Sequence, residues 1–146
     1  MLTNIYHIKI SSFNYTSEKK LTYKCIKVVK SVSKIEEFNS YREKMNEIIM
    51  KEANLGIKRF FALDARTYSP GTLSSKIKEL LGLVASLVLR CNDCITYHTL
   101  QCHELGVSKE EFYEAFNVAL IVGGSIVIPH LRKAIEILEE CYSRNK

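Results

Sequence analysis

The chain has 146 residues and a hydrophobic content of 47%, enough for one domain to bury a core without disulfide or metal staples. Its formal charge of +5 is unevenly spread: residues 1–32 carry six Lys against one Glu, while residues 33–146 hold fifteen basic and fifteen acidic residues. The excess therefore reads as a solvated basic extension, and neither nucleic acid nor membrane is expected as a partner.

The apolar runs at 80–89 and 118–128 are shorter than the roughly 20 residues of a membrane span. Five Cys is an odd count, and Cys25, Cys102 and Cys141 show no disulfide-framework spacing. The first twenty residues lack a sustained apolar stretch, so no secretory leader is expected, and a reducing cytoplasm is the expected compartment.

Residues 1–32 alternate loosely, through Ile8, Ile10, Leu21, Tyr23 and Cys25, which suits a short hairpin or a disordered tail equally. Ser33 with Glu36 is a capping-box signal for a first helix over residues 34–53, with Ile35, Phe38, Met45, Ile48 and Ile49 at helical spacing. Gly56 punctuates it, and a shorter helix over 57–66 carries Phe60, Phe61 and Leu63.

A turn at residues 68–71 precedes a third helix, capped by Ser74 or Ser75, whose apolar face of Ile77, Leu80, Leu81, Val84, Leu87 and Val88 should be the buried centre of the fold. Asn92 and Asp93 start helices better than they continue them, which predicts a break near Arg90 and a fourth helix from about Cys91 to Leu105, stopped by Gly106. Ser108 and Glu111 open a fifth helix through Phe112, Ala115, Phe116, Ala119 and Leu120, ended by Gly123 and Gly124. A sixth runs through Leu131, Ala134, Ile135 and Leu138 to near Tyr142, with Pro129 in its first turn or at a kink.

Cys91, Cys94 and His98 concentrate the chemistry. On one helix the separation of four puts Cys94 and His98 on the same face, with Cys91 one turn back. A thiol in a first helical turn meets unpaired N–H groups and the positive end of the dipole, which favour its thiolate. Glu79, on the preceding helix, can reach His98 and orient its imidazole if the two helices run antiparallel. Otherwise it complements its own helix dipole.

Two alternatives bear on the sulfurs. Free Cys is often a small buried hydrophobe. Zinc would draw on Cys91, Cys94, His98 and Cys102, but a stripe of about 16 Å at roughly 1.5 Å rise per residue cannot converge on one ion with ligands at about 2.0–2.3 Å. A site made from two of these residues with a neighbouring subunit is the remaining metal option, and no metal is the expectation.

The pattern Glu79, Cys91, Cys94 and His98, set in KIKELLGLVAS, RCNDCITYH and VGGSIVIPH, resembles the carboxymuconolactone decarboxylase and alkylhydroperoxidase D-like superfamily over about residues 33–140. The resemblance implies an all-α, six-helix domain over 33–146 that assembles as a homo-oligomer, a dimer, trimer or hexamer, and uses no cofactor. By position it makes Cys94 the peroxide-attacking thiol and Cys91 the resolving one, with Glu79 and His98 as proton relay. A peroxide or other small molecule is the implied substrate and an external dithiol the implied reductant.

One family feature differs. The best-known peroxidases have a second His immediately before the second Cys, where this chain has Asp93, whose charge opposes a thiolate at Cys94. The other branch of the superfamily implies a lactone decarboxylase, for which Arg66, Arg90 and Arg132 are the candidate substrate cations. A non-catalytic, redox-sensing helical oligomer is the third reading. Arg90 also suits a surface ion pair, Tyr97 an interface, and His130 a place at a helix end, with an approach to the site as its other option.

Overall fold

Helix boundaries in this chain are set by short side chains that close first turns. The computed structural model describes residues 33–144, which form α1 (Lys34–Glu52), α2 (Leu55–Thr67), α3 (Ser75–Leu89), α4 (Asn92–Glu104), α5 (Lys109–Gly123) and α6 (Ile128–Arg144), with a 3-10 turn at Ser125–Val127 before α6. Among the described residues there is no strand, so the all-α expectation holds. The hairpin-or-tail reading of residues 1–32 lies outside the described residues.

Ser33 Oγ accepts the Glu36 N–H at 3.1 Å, Asn54 Oδ1 that of Ile57 at 3.0 Å, and Ser74 Oγ that of Ile77 at 3.3 Å. Each pairs a donor that the helix itself leaves unbonded. At Ser108 the capping box is complete, because the Glu111 carboxylate returns to the Ser108 N–H at 2.8 Å. At Ser33 the box is half made: the Glu36 carboxylate is taken by Arg144 at 2.7 Å instead.

Asn54 also corrects the second helix. Its cap starts α2 at Leu55, so Gly56 lies inside the first turn and is not the break between helices. Pro129 sits in the first turn of α6, where its missing N–H costs nothing.

α3 packs on α4 and α5, α4 packs on α6, and α1 lies against α4 and α6. The central cluster joins Leu83 and Leu87 of α3 to Ile95 and Cys102 of α4, Phe112 and Phe116 of α5, and Leu138 of α6. The buried stripe of α3 is rotated from the expected one. Glu79, Gly82, Leu83, Ser86 and Leu87 are inside, while Ile77 and Leu81 are exposed. Two polar residues lie on that stripe because each has a partner: Ser86 Oγ donates to the Gly82 carbonyl at 2.7 Å, and Glu79 bonds to His98.

Two apolar surfaces stay uncovered. α2 buries none of its residues and leaves Phe60 70% exposed, and the end of α5 leaves Ile121 87% exposed. Ile48 and Ile49, two of the apolar residues at helical spacing, also lie open on α1, which buries Ile35 alone. No helix of the described residues is long and apolar enough to cross a membrane.

Leu87, fully buried between α3 and its neighbours, provides the test of this core. Leu87→Ala should lower unfolding stability by about 3–5 kcal/mol in a urea titration.

Candidate functional site

The site begins with how α3 ends. Arg90 adopts φ 61°, its N–H returns to the Leu87 carbonyl at 3.1 Å, and the Cys91 N–H returns to the Ser86 carbonyl at 3.0 Å. This is the paired bonding of a Schellman motif, with Arg at the left-handed position that glycine usually fills. The chain leaves it in an extended conformation at Cys91, which becomes the N-cap of α4. The predicted break near Arg90 is therefore present, and it delivers a sulfur where N-caps usually carry oxygen. Cys91 Sγ accepts the Cys94 N–H at 3.3 Å.

Cys91 and Cys94 are joined as a disulfide, with Cα atoms 5.3 Å apart, well inside the separation such bonds allow. Cys94 is exposed and opens onto a cavity of about 330 Å3, whose wall also includes His98. Cys91 is half-buried.

One turn beyond Cys94, His98 is 8% exposed, and its Nδ1 lies 2.6 Å from Oε2 of Glu79, itself 3% exposed. The antiparallel return of α4 along α3 thus brings together the residues the sequence singled out. The alternative for Glu79, a carboxylate serving its own helix end, is set aside by this bond. The bond orients the ring, with Nδ1 turned to Glu79 and Nε2 on the far side of the imidazole.

The imidazole occupies a fitted slot. A Cβ added at Gly82 would lie 2.6 Å from His98 Cε1 and 2.8 Å from Nδ1. Tyr68 and Tyr97 flank the ring at centroid distances of 5.2 and 5.3 Å. Burial, followed by the Glu79 charge, raises both phenols above their ordinary value, so they remain neutral. The Arg42 guanidinium lies 4.3 Å over the Tyr97 ring.

The remaining candidates fall elsewhere. His130 Nδ1 meets Asn92 Oδ1 at 2.8 Å, so it touches the dipeptide between the two cysteines and does not line the cavity. Arg90 serves as the helix stop, and Arg66 and Arg132 are exposed away from the cavity wall. The cation among the described lining residues is Arg42, joined by Asp64 and Asp93. Cys102 is fully buried in the core, and among the described residues no group of three or more ligating side chains stands together.

Sequence reading missed Arg42, Tyr68 and Asp64, which carry no local motif. Tyr97, read from the sequence as an interface residue, packs its ring on His98. Gly82 had a signal: glycine inside a helix costs roughly 1 kcal/mol relative to alanine, and it lies one turn from Glu79.

A two-cysteine turn at a helix start, with a buried carboxylate-imidazole pair one turn away in an all-α domain, agrees with the comparison to known proteins. The chain belongs to the carboxymuconolactone decarboxylase family, whose model matches residues 57–139. A crystallised protein of Thermotoga maritima is 52% identical, with a TM-score of 0.74 over 75% of this chain and 96% of that one. A second crystal structure of it, at TM-score 0.72, is described as a carboxymuconolactone decarboxylase family protein with a suggested part in the antioxidative response. Apo-lpg0406 of Legionella pneumophila, a protein of the same family, shares the fold at 24% identity and TM-score 0.69, over 75% of this chain and 98% of that one. Uncharacterized protein 4 in the cox locus of Paracoccus denitrificans is 28% identical over 81 residues, which is 56% of this chain and 73% of that protein.

Gly82→Ala should push the imidazole off Glu79 and lower stability by about 1–3 kcal/mol. The same change in a His98→Ala background should cost much less, a coupling that a double-mutant cycle of urea titrations reads directly.

The buried thiols make a second prediction. Burial, with the Glu79 charge behind it, pushes Cys102 up to about 12, and burial followed by Glu140 pushes Cys141 up to about 11, from an ordinary 9.0. The unfolded chain therefore sheds these protons first, and stability should fall as pH rises from about 9 toward 11. In the reduced native protein at pH 8, iodoacetamide should label Cys91 and Cys94 and spare Cys102 and Cys141, as peptide mass spectrometry would report.

Proposed function

We propose that this protein is a thiol-dependent peroxidase or disulfide oxidoreductase that cycles Cys91 and Cys94 between dithiol and disulfide. The observation that carries the reading is the bonded sulfur pair whose Cys94 lines a cavity, with the buried Glu79–His98 pair one turn away. Cys94 is the attacking thiol, because it opens onto the cavity while Cys91 sits behind it at the helix cap.

In the half-reaction that oxidises the protein, the Cys94 thiolate attacks the outer oxygen of a hydroperoxide. The O–O bond breaks, Cys94 becomes a sulfenic acid, and the alcohol leaves with a proton supplied through His98, which Glu79 orients. The Cys91 thiol then attacks the sulfenic sulfur, forming the disulfide and releasing water, its proton leaving with the sulfenic hydroxyl. An external dithiol reduces the disulfide by exchange and is itself oxidised.

Decarboxylation of a carboxylated lactone is the rival within this family. It needs cations facing the substrate carboxylates, whereas the described wall holds Asp64 and Asp93 against Arg42. The observation favours the thiol reading over this one. The exposed apolar surfaces on α2 and at the end of α5 suit a homo-oligomer in which a second copy covers them.

Reduced protein treated with one equivalent of cumene hydroperoxide should form the Cys91–Cys94 disulfide, with turnover when dithiothreitol is supplied. Cys94→Ser should abolish both. Cys91→Ser should leave a sulfenic acid at Cys94 that dimedone traps, and His98→Gln should slow oxidation by about 10²-fold or more. Thiols inert to peroxide in the reduced protein, with lactone decarboxylation surviving Cys94→Ser, would reverse the assignment.

A further inference from the structure

The wall of the Cys94 cavity has a charge pattern that bears on what enters it. Asp93 immediately precedes Cys94 in the first turn of α4, and Asp64 lines the cavity from the end of α2. Against these two carboxylates stands Arg42 of α1, whose guanidinium is already engaged over the Tyr97 ring. Glu79 is buried behind His98 and is not part of the wall. Phe38, Tyr41 and Met45 add aromatic and apolar surface to the lining, and Asn46 an uncharged amide.

We infer that this cavity selects by charge, admitting neutral and cationic organic peroxides or disulfides to Cys94 and repelling anionic ones, with Asp64 and Asp93 as the specificity-determining residues. As a statement about natural substrates this rests on the thiol reading above. An anion in the cavity meets two carboxylates and a single cation on its wall, a field that about 0.1 M salt screens over roughly 10 Å. A cation is attracted by the same pair, and its charge offsets the repulsion that Asp93 exerts on a thiolate at Cys94. The bias extends to the reductant: a neutral or cationic dithiol reaches the disulfide more readily than an anionic one such as dihydrolipoate.

Three methanethiosulfonates that share one reactive group but carry a methyl, a trimethylammonioethyl or a sulfonatoethyl substituent test this without requiring turnover. In each, the Cys94 thiolate attacks the thiosulfonate sulfur, a mixed disulfide forms, and methanesulfinate leaves with the bonding pair. Full-length Cys91→Ser protein retains the adduct for mass spectrometry, and each rate is divided by that of free β-mercaptoethanol. The cationic-to-anionic rate ratio should exceed that of the free thiol by about tenfold in 0.1 M salt and shrink in 1 M salt.

Asp64→Asn and Asp93→Asn should each reduce the excess by about threefold, and Arg42→Gln should enlarge it. The ratio cancels any change in thiolate population, which alters all three rates alike. A ratio equal to that of the free thiol, or one favouring the anion, overturns the inference. Charge discrimination in a protein that reduces no peroxide leaves the inference standing and removes the peroxidase reading, and peroxide turnover without discrimination does the reverse.

Discussion

The Glu79–His98 hydrogen bond is the constraint on which the rest of the structure turns. A carboxylate and an imidazole lie almost wholly out of water between α3 and α4, and either would be costly to bury without the other. Their pairing fixes the register of α4 on α3. That register requires a residue without a side chain at Gly82, because the imidazole lies where a Cβ would stand. The same stripe that buries Glu79 and Gly82 also buries Leu83 and Leu87, so the polar pair and the hydrophobic core are consequences of one helix orientation.

The turn joining these helices converts backbone geometry into chemistry. Arg90 takes up the left-handed conformation at a cost of roughly 1–2 kcal/mol, and the reversal it makes leaves Cys91 capping α4. Cys94 then falls in the first turn beside the cap, and His98 one turn further along the same face. His130 reaches this turn from α6 through Asn92, so the dipeptide between the sulfurs is held from outside its own helix.

The wall opposite the sulfurs is built differently. α1 is tied to the rest by the buried Ile35 and by surface pairs between Arg144 and Glu36 and between Lys34 and Glu136, each worth little in open solvent. Yet α1 contributes Phe38, Tyr41, Arg42 and Met45 to the cavity. The rigid part of the site holds its reacting groups, and a more lightly anchored helix supplies the surface that a substrate meets. Side chains on such a wall alter what binds without disturbing the buried pair.

Six helices, three of their N-caps and the break at Arg90 were legible in the sequence because each depends on contacts within a few residues, as Ser33, Ser74, Ser108 and Gly106 illustrate. Cys91, Cys94 and His98 were legible for the same reason: helical periodicity alone puts them on one face. Asn54 was overlooked as a cap because Gly56 offered a competing break, and the inward face of α3 was misjudged because apolar Ile77 and Leu81 looked better suited to burial than Glu79 and Ser86. That choice belonged to the tertiary structure, since only the packing of α4 supplies the partner that makes a buried carboxylate tolerable. Arg42, Asp64 and Tyr68 became site residues in the same way: nothing in their own neighbourhoods marks them, and they meet Cys94 and His98 only once α1 and the end of α2 lie alongside α4.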